Sequence, residues 1–480
     1  MSNGWWPLTF VALEMVLRIT FTVVVLLRRR GAPSALAWIA VILALPLLGV
    51  ALYLLFGEVR LGGRRVREHA AIIQRIQSSI PFTAAAAAAL RPPIPDQFKH
   101  IALLAESVAN YDALGGNRLT LIGDTDLFIQ SLIDDIDRAE LHCHLLFYIF
   151  LTDHSSHRVA EALMRAAQRG VACRLLVDAV GSSLFLRSTL RRELASAGVQ
   201  VVEALPANPV RMLLSRIDLR NHRKIAVIDG VIGYTGSHNI ADAEFTIKRK
   251  YGPWVDAMVR VEGPVTWDLQ TLFIEDWYLD THESLEHLLN IQPLAIPDGT
   301  IAQVIGTGPN AYNEALRQLN HIAFHTARDE LIITTPYFVP DDATVSALCT
   351  AARRGVETIL VLPARNDSPL VAAASRSHYA ELLESGVQLY EYTAGLLHAK
   401  TLTVDRQLAV IGSANLDRRS FELNFEVSMV VYDDDFASQL RFLQKSYMSN
   451  AVWVDPARWR NLRWPRRLLY SVAGTMSPLL

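Results

Sequence analysis

At 480 residues the chain is long enough for two domains and a membrane anchor. It is 51% hydrophobic and 20% charged, with a mean hydropathy of +0.21, more apolar than an ordinary soluble enzyme, so membrane segments are expected. A formal net charge of −2 lacks the basic surplus of a nucleic-acid binder, and no Gly-rich loop followed by Lys-Ser/Thr supports nucleotide hydrolysis.

Residues 1–60 read as a hydrophobic membrane hairpin. Trp5 to Leu27 is long enough to span a bilayer, Arg28, Arg29 and Arg30 open a short loop, and Ser34 to Phe56 forms a second apolar stretch. Glu14 and Arg18 stand four apart inside the first arm, where they can pair along a helix. No small-residue cleavage site follows that arm, which argues for an anchor rather than a signal peptide. Three arginines mark the loop, and Arg60, Arg64, Arg65 and Arg67 follow the second arm. The small surplus at the latter places the N-terminus and the body of the chain on the cytoplasmic side of the membrane. Residues 61–96 read as a connector, with a helical run from Ala84 to Ala89 and breakers at Pro92, Pro93 and Pro95.

Strands then alternate with helices. LHCHLLFYIF, ACRLLVDA and the GVQVVEAL end of the next unit are strands, separated by HRVAEALMRAAQRG and RSTLRRELASAG. The pattern repeats as LIITTPYFV, ATVSALCTAARRG, ETILVLP and SHYAELLESGVQLYEY. The fold class is therefore α/β: two similar domains, 97–300 and 301–450, each a mainly parallel sheet flanked by helices. Ahead of NHRKIAVIDG the first domain carries a longer loop, PANPVRMLLSRI, which suits either an apolar entrance or an ordinary surface insertion. Cys143, Cys173 and Cys349 lie in or beside apolar runs without metal-ligand spacing and read as buried free thiols of a reducing compartment. His142 and His144 alternate on a buried strand and read as core or site-edge histidines rather than metal ligands. Gly306-Thr307-Gly308 lacks the third glycine of a dinucleotide fingerprint and reads as a turn. Residues 451–480 interleave Trp453, Trp459 and Trp464 with Arg458, Arg460, Arg463, Arg466 and Arg467, a basic and aromatic tail suited to an interface of anionic headgroups.

The chemistry is concentrated in two stretches, NHRKIAVIDGVIGYTGSHN and LHAKTLTVDRQLAVIGSAN. His222, Lys224, Asp229, Gly236, Ser237 and Asn239 of the first recur 176 residues later as His398, Lys400, Asp405, Gly412, Ser413 and Asn415. Such a coincidence without slippage marks a duplicated half-site. His222 and Lys224 alternate on a strand and project to one face. Asp229-Gly230 is a tight turn, and the returning strand brings Ser237 and Asn239 back towards the imidazole. The ammonium, hydroxyl and amide suit the oxygens of a phosphate, and the imidazole suits attack on its phosphorus. Only six of the 46 Lys and Arg residues are lysines, yet two of those six occupy the same register of the two copies. A compact point charge is required there rather than a planar fork.

The doubled pattern H-x-K-x4-D-x6-G-S-x-N resembles the phospholipase D superfamily. RNHRKIAVIDGVIGYTGS, TTPYFVPDDATVSAL, DSPLVAAASRSHYAELLESGVQLYEY, DRRSFELNFEVS, the closing SPLL and the opening RRRGAPSALAWI with PLLGVALYLLFGE resemble, more narrowly, the bacterial cardiolipin synthases. That resemblance covers nearly the whole chain. It implies two phospholipase D-like domains and transfer of a phosphatidyl group between two phosphatidylglycerol molecules, giving cardiolipin and glycerol. Alternatives on the same site are a phospholipase D-type hydrolase and a transferase using another acceptor lipid such as phosphatidylethanolamine; neutral charge and a membrane hairpin disfavour a nuclease. His222 and His398 then stand on opposite sides of one phosphorus, one attacking and one delivering a proton to the departing alcohol. The resemblance assigns the attack to His222; the symmetry of the sequence does not. Lys224, Lys400, Asn239, Asn415, Ser237 and Ser413 are expected to hold phosphate oxygens, and no metal or cofactor is called for because the lysines supply the positive charge. Asp229 and Asp405 belong to the motif but sit in the turns as structural residues. The acceptors for the second nitrogen of each histidine are sought downstream, at Asp256, 34 residues after His222, and Glu426, 28 after His398, where the family's supporting carboxylates lie. Partners are phosphatidylglycerol, other anionic phospholipids and the membrane, with no nucleic acid; the oligomeric state is not legible.

Overall fold

The computed structural model describes residues 6–28, 32–57, 63–79, 90–109, 111–206, 216, 218–291, 293–309 and 314–476. The Ala84 to Ala89 run, most of the PANPVRMLLSRI loop and the closing SPLL lie outside these residues.

The first half contributes β1 (Leu114–Ile122), β2 (His142–Phe147), β3 (Ala172–Asp178), β4 (Gln200–Ala204), β5 (Lys224–Ile228), β6 (Ile232–Gly236), a short β7 (Trp254–Val255) and β8 (Met258–Glu262). The second half contributes β9 (Thr300–Thr307), β10 (Glu330–Thr334), β11 (Phe338–Val339), β12 (Glu357–Pro363), β13 (Gln388–Tyr392), β14 (Leu396–Leu397), β15 (Thr401–Val404), β16 (Leu408–Gly412), β17 (Leu416–Asp417), β18 (Glu426–Tyr432) and β19 (Ala451–Trp453). Fifteen of these form one sheet, β4-β3-β2-β5-β6-β8-β1-β9-β18-β16-β15-β10-β12-β13-β19. The order mirrors itself about the antiparallel β1–β9 pair, where the two halves are sewn together through Leu114↔Ala302 and Asn117↔Thr300.

The fold is mixed α/β, as expected, but the sheet is not mainly parallel. Within this sheet parallel pairing is confined to β2-β3-β4 and β10-β12-β13, the segments with helical crossovers that the alternation revealed. Every other neighbour in the sheet is antiparallel; of these, β5-β6 and β15-β16 are hairpins whose tight turns need no crossover. Gly306-Thr307 is not a turn either: both lie within β9.

One apolar core runs under both halves. Val227, Val259 and Val261 of the first share it with Ala409, Val427 and Met429 of the second, beneath the long helix Val265–Thr281. On the opposite face each half keeps its own core, and helix Lys99–Ala109 joins that of the second half through Ile101, Ala102 and Ala105. Cys143, Cys173 and Cys349 are buried free thiols. His142 and His144 lie side by side with ring centroids 4.3 Å apart, both against Gln270, and His144 stacks on Phe273.

At the N-terminal end, helix Trp6–Leu27 holds the segment Thr9–Leu27, the one span among the described residues long and apolar enough to cross a membrane, with mean hydropathy 2.3. Arg18 pairs with Glu14 at 3.8 Å within it. The second apolar stretch is not one continuous arm: Pro46 divides it into Ala32–Ala44 and Pro46–Leu52, followed by a π turn at Tyr53–Gly57. The arms still pack together, with Val25, Trp38, Ile42, Val50 and Tyr53 in one cluster. Helix Gly63–Ser79 then docks on Val265–Thr281. Its Ile72 and Ile76 enter the shared core, and Arg65 bonds Asp280 at 2.7 Å.

Candidate active site

The two motif hairpins are built alike. β5 and β6 pair through Ile225↔Thr235 and Ile228↔Ile232; β15 and β16 pair through Thr401↔Ile411 and Val404↔Leu408. Each closes on two residues of positive φ, Asp229 (54°) with Gly230 (72°), and Asp405 (51°) with Arg406 (62°). The aspartates earn their place by a second contact. The Asp229 carboxylate accepts the backbone N–H groups of Glu140, Leu141 and His142, and that of Asp405 accepts those of Arg328, Asp329 and Glu330. Both tie their turn to the start of the neighbouring strand.

Lys224, His398, Lys400, Ser237, Ser413, Asn239, Asn415 and Glu426 are all at most 4% exposed, and His222 and Asp256 at most 8%. The histidine supports are crossed between the halves. His222 Nδ1–H donates to Glu426 Oε2 at 3.0 Å, and His398 Nδ1–H donates to Asp256 Oδ1 at 2.7 Å. Sequence spacing had paired each histidine with the carboxylate downstream in its own half. The correction has a backbone cause: the N–H of His222 donates to the carbonyl of Phe425, next to Glu426, and that of His398 to the carbonyl of Val255, next to Asp256. An ionised carboxylate only accepts, so both imidazoles carry the proton on Nδ1 and leave a lone pair on Nε2.

Burial pushes His222 down and His398 down to about 4, against the raising influence of their carboxylates. Burial likewise brings Lys224 to about 8 and Lys400 to about 7. Asp256 and Glu426 resist their own burial and stay below the usual carboxylate range, because His398 and His222 respectively, together with the lysines, favour the anion. Glu426 contacts both His222 and Ser413, so the two half-sites are joined at their carboxylates. Lys224 Nζ donates to the His222 carbonyl at 2.6 Å and Lys400 Nζ to the His398 carbonyl at 2.5 Å, which leaves further N–H donors on each for a ligand.

The serines are placed differently from expectation. Ser237 Oγ donates to Asp256 Oδ1 at 2.5 Å, and Ser413 Oγ donates to Glu426 Oε2. Their protons are committed to the orienting carboxylates, so they hold those carboxylates rather than phosphate oxygens. Asn239 Oδ1 accepts the N–H of Ile149 at 3.0 Å, which turns its amide N–H groups elsewhere; Asn415 Nδ2 reaches Ser420 Oγ at 3.4 Å.

Sequence reasoning missed several neighbours. Ser420 Oγ and Asn424 Nδ2 donate to Glu426 Oε1 at 3.1 and 3.2 Å; both lie in the DRRSFELNFEVS stretch, whose polar residues are the signal. Tyr148 and Trp254 flank His222 and His398 with ring centroids at 4.7 and 4.6 Å, one aromatic wall per histidine. Nothing in the spacing announces them.

Two imidazoles held through Nδ1, two buried ammonium groups and two ionised carboxylates can pass a phosphoryl group through a histidine. Comparison with known proteins agrees. The family model described as "Cardiolipin synthase, PLD-like domain" matches residues 132–277 and 322–445, and "Phospholipase_D-nuclease N-terminal" matches residues 16–58. The chain is 39% identical over 470 residues to Cardiolipin synthase A of Edwardsiella ictaluri (strain 93-146) and 40% identical over 470 residues to that of Serratia proteamaculans (strain 568). In both cases this covers 96% of this chain and 95% of the relative. In fold it is similar to the crystal structure of a phosphatidylserine synthase from Haemophilus influenzae Rd KW20, with a TM-score of 0.60, 15% identity, 80% of this chain and 100% of that chain covered. The chain belongs to the cardiolipin synthase family of the phospholipase D superfamily.

Proposed function

We propose that this chain is a membrane-bound phosphatidyltransferase that condenses two phosphatidylglycerol molecules into cardiolipin and glycerol. The observation that carries this is the pair of carboxylate-held imidazoles, each with a free Nε2, beside two buried lysines. Phosphate arrival brings negative charge to both lysines and to His398 and restores the protons there that burial disfavours, while His222 stays neutral. His222 Nε2 attacks the phosphorus, the bond to the headgroup glycerol breaks, and protonated His398 gives its Nε2 proton to the departing oxygen. The lysines, with Asn239, hold the non-bridging oxygens while charge develops. A headgroup hydroxyl of a second phosphatidylglycerol then attacks the phosphorus, His398 takes its proton, and the bond to His222 breaks. Both bonds broken and both formed keep the phosphorus a diester in the lipid products, so excess glycerol drives the reaction backwards.

Two domains, 97–300 and 301–450, carry the half-sites. The apolar N-terminal segment anchors them to the bacterial inner membrane, with the catalytic body on the cytoplasmic side as the arginine distribution indicates. The C-terminal tail is a second membrane contact. Helix Trp464–Thr475 packs on Pro369–Ser377 through Ala473, yet leaves Trp464, Leu468, Leu469 and Val472 exposed beside Arg463, Arg466 and Arg467. Water outcompetes a lipid alcohol by concentration, so a site held at the interface favours transfer through proximity and exclusion.

Chromatography of products from phosphatidylglycerol vesicles tests the reading. Cardiolipin and free glycerol, with little phosphatidic acid, are expected, together with conversion of cardiolipin to phosphatidylglycerol in excess glycerol. Phosphatidic acid dominating at every lipid density makes the chain a hydrolase.

A further inference from the structure

The two half-sites differ in how the supporting carboxylate is held. On the His398 side, the segment before Asp256 forms a two-residue parallel ladder, Leu396↔Trp254 and Leu397↔Val255. On the His222 side the corresponding contact shrinks to the single bridge Asn221↔Phe425. The difference is made up by a residue between the histidine and lysine of the first motif. Arg223 is 4% exposed, and its guanidinium donates from Nε to the carbonyl of Glu426 at 3.1 Å and from Nη2 to the carbonyl of Thr307 at 3.2 Å. Glu426 and Thr307 face each other across the β18–β9 ladder, so one guanidinium grips the ends of two strands of the opposite half. Its charge is balanced by Asp276 on helix Val265–Thr281: Nη1 donates to Asp276 Oδ2 at 2.9 Å, and Asn221 Nδ2 donates to the same oxygen at 2.9 Å. Gly306 makes room, since a Cβ there would stand 3.3 Å from Arg223 Nη2 and 2.4 Å from Leu272. At the matching position of the second motif stands Ala399, fully buried.

We propose that the buried Arg223–Asp276 pair is a positioning device for one half-site only. By fixing the carbonyls of Glu426 and Thr307, Arg223 holds the Glu426 carboxylate against His222 Nδ1 and keeps His222 Nε2 aimed at the phosphorus. The ladder does the same for Asp256 and His398. A buried ion pair is weak evidence for stability by itself, and an apolar replacement of matching volume is often tolerated, so the pair is free to serve geometry. The effect on turnover rests on the reading given under Proposed function; the geometry of the pair does not.

Arg223→Lys keeps a cation for Asp276 but cannot span two carbonyls, and Arg223→Met/Asp276→Leu removes both charges together. Two readouts are taken on the full chain in detergent. The first is glycerol release from phosphatidylglycerol, which counts turnover whichever acceptor follows. A fall in kcat of about a hundredfold with KM nearly unchanged is expected in both variants, the cost of a misplaced nucleophile. The second needs no substrate: the low-field Nδ1 proton resonance of His222 is expected to broaden or vanish while that of His398 stays. Unchanged kcat in Arg223→Lys, or loss of both resonances alike in a variant that still melts cooperatively, overturns the proposal. If the wild-type chain releases no glycerol, the functional reading fails, and the His222 resonance still decides the positioning role.

Discussion

His222 takes its support from Glu426, 204 residues further along the chain and in the other half, at 3.0 Å. The reciprocal bond joins His398 to Asp256 at 2.7 Å, so neither half-site is complete without its partner. Glu426→Gln and Asp256→Asn therefore act on the histidine across the pseudo-twofold. Each is expected to cut turnover by about a thousandfold, because an amide permits the wrong tautomer. Proton NMR of the labelled histidines separates the two: Glu426→Gln removes the Nδ1 signal of His222, and Asp256→Asn that of His398. The opposite assignment restores same-half pairing.

The lysines are argued from compactness rather than charge alone. Lys224 and Lys400 each fold back onto the carbonyl of the histidine two residues before them. A guanidinium in that space displaces the phosphate oxygens. Lys224→Arg and Lys400→Arg should each lose about a hundredfold in kcat while binding lipid, and wild-type activity should survive EDTA. Full turnover in both variants removes the point-charge argument, and loss restored by one divalent ion indicates a metal site.

The pH profile follows from the direction of the shifts. The nucleophile works deprotonated, and burial lowers His222, so the acid limb of kcat/KM lies below the ordinary histidine value of 6.5. The lysines and the proton donor His398 work protonated; burial brings the lysines to about 7 and about 8 and lowers His398 further, so activity falls as pH rises well before 10.5. A rate-against-pH series on the purified enzyme should give a bell. A plateau reaching pH 10 shows that the lysines keep their ordinary basicity.

Much of the site was legible because its chemistry is written in a period. A shift of 176 residues located both histidines, both lysines and both turn aspartates, and the helix-strand rhythm located β2-β3-β4 and β10-β12-β13. The rest depends on contacts between halves, which spacing within a half does not encode. Asp256 and Glu426 were found as carboxylates but assigned to the wrong histidines. Ser237 and Ser413 were found as hydroxyls, yet only the geometry shows their protons committed to those carboxylates. The motif hairpin is legible from its turn, but the other antiparallel neighbours pair strands distant in sequence, such as β18 with β9 and β1 with β8, which no local signal announces. Pro46, which divides the second apolar stretch, is the one break in that stretch that the sequence itself displays.

The tail carries a prediction of its own. Trp464, Leu468, Leu469 and Val472 are exposed on one helix beside three arginines. Deleting residues 1–60 should weaken membrane binding yet leave an association with phosphatidylglycerol vesicles that salt reverses. Adding Trp464→Ser, Leu468→Ser and Leu469→Ser should abolish what remains in a vesicle flotation assay. A truncated chain that stays in solution at low salt, with its tail intact, excludes the tail as an anchor.

The central claim is that two crossed half-sites serve one phosphorus, with His222 carrying the phosphatidyl group. Rapid quenching of the enzyme with headgroup-retaining, acyl-labelled phosphatidylglycerol, followed by peptide mass spectrometry, tests it most directly. The account predicts one acid-labile, base-stable phosphoramidate per chain, on His222, absent in His222→Ala and greatly slowed in His398→Ala. Label distributed equally over His222 and His398, or two labels per chain, contradicts it.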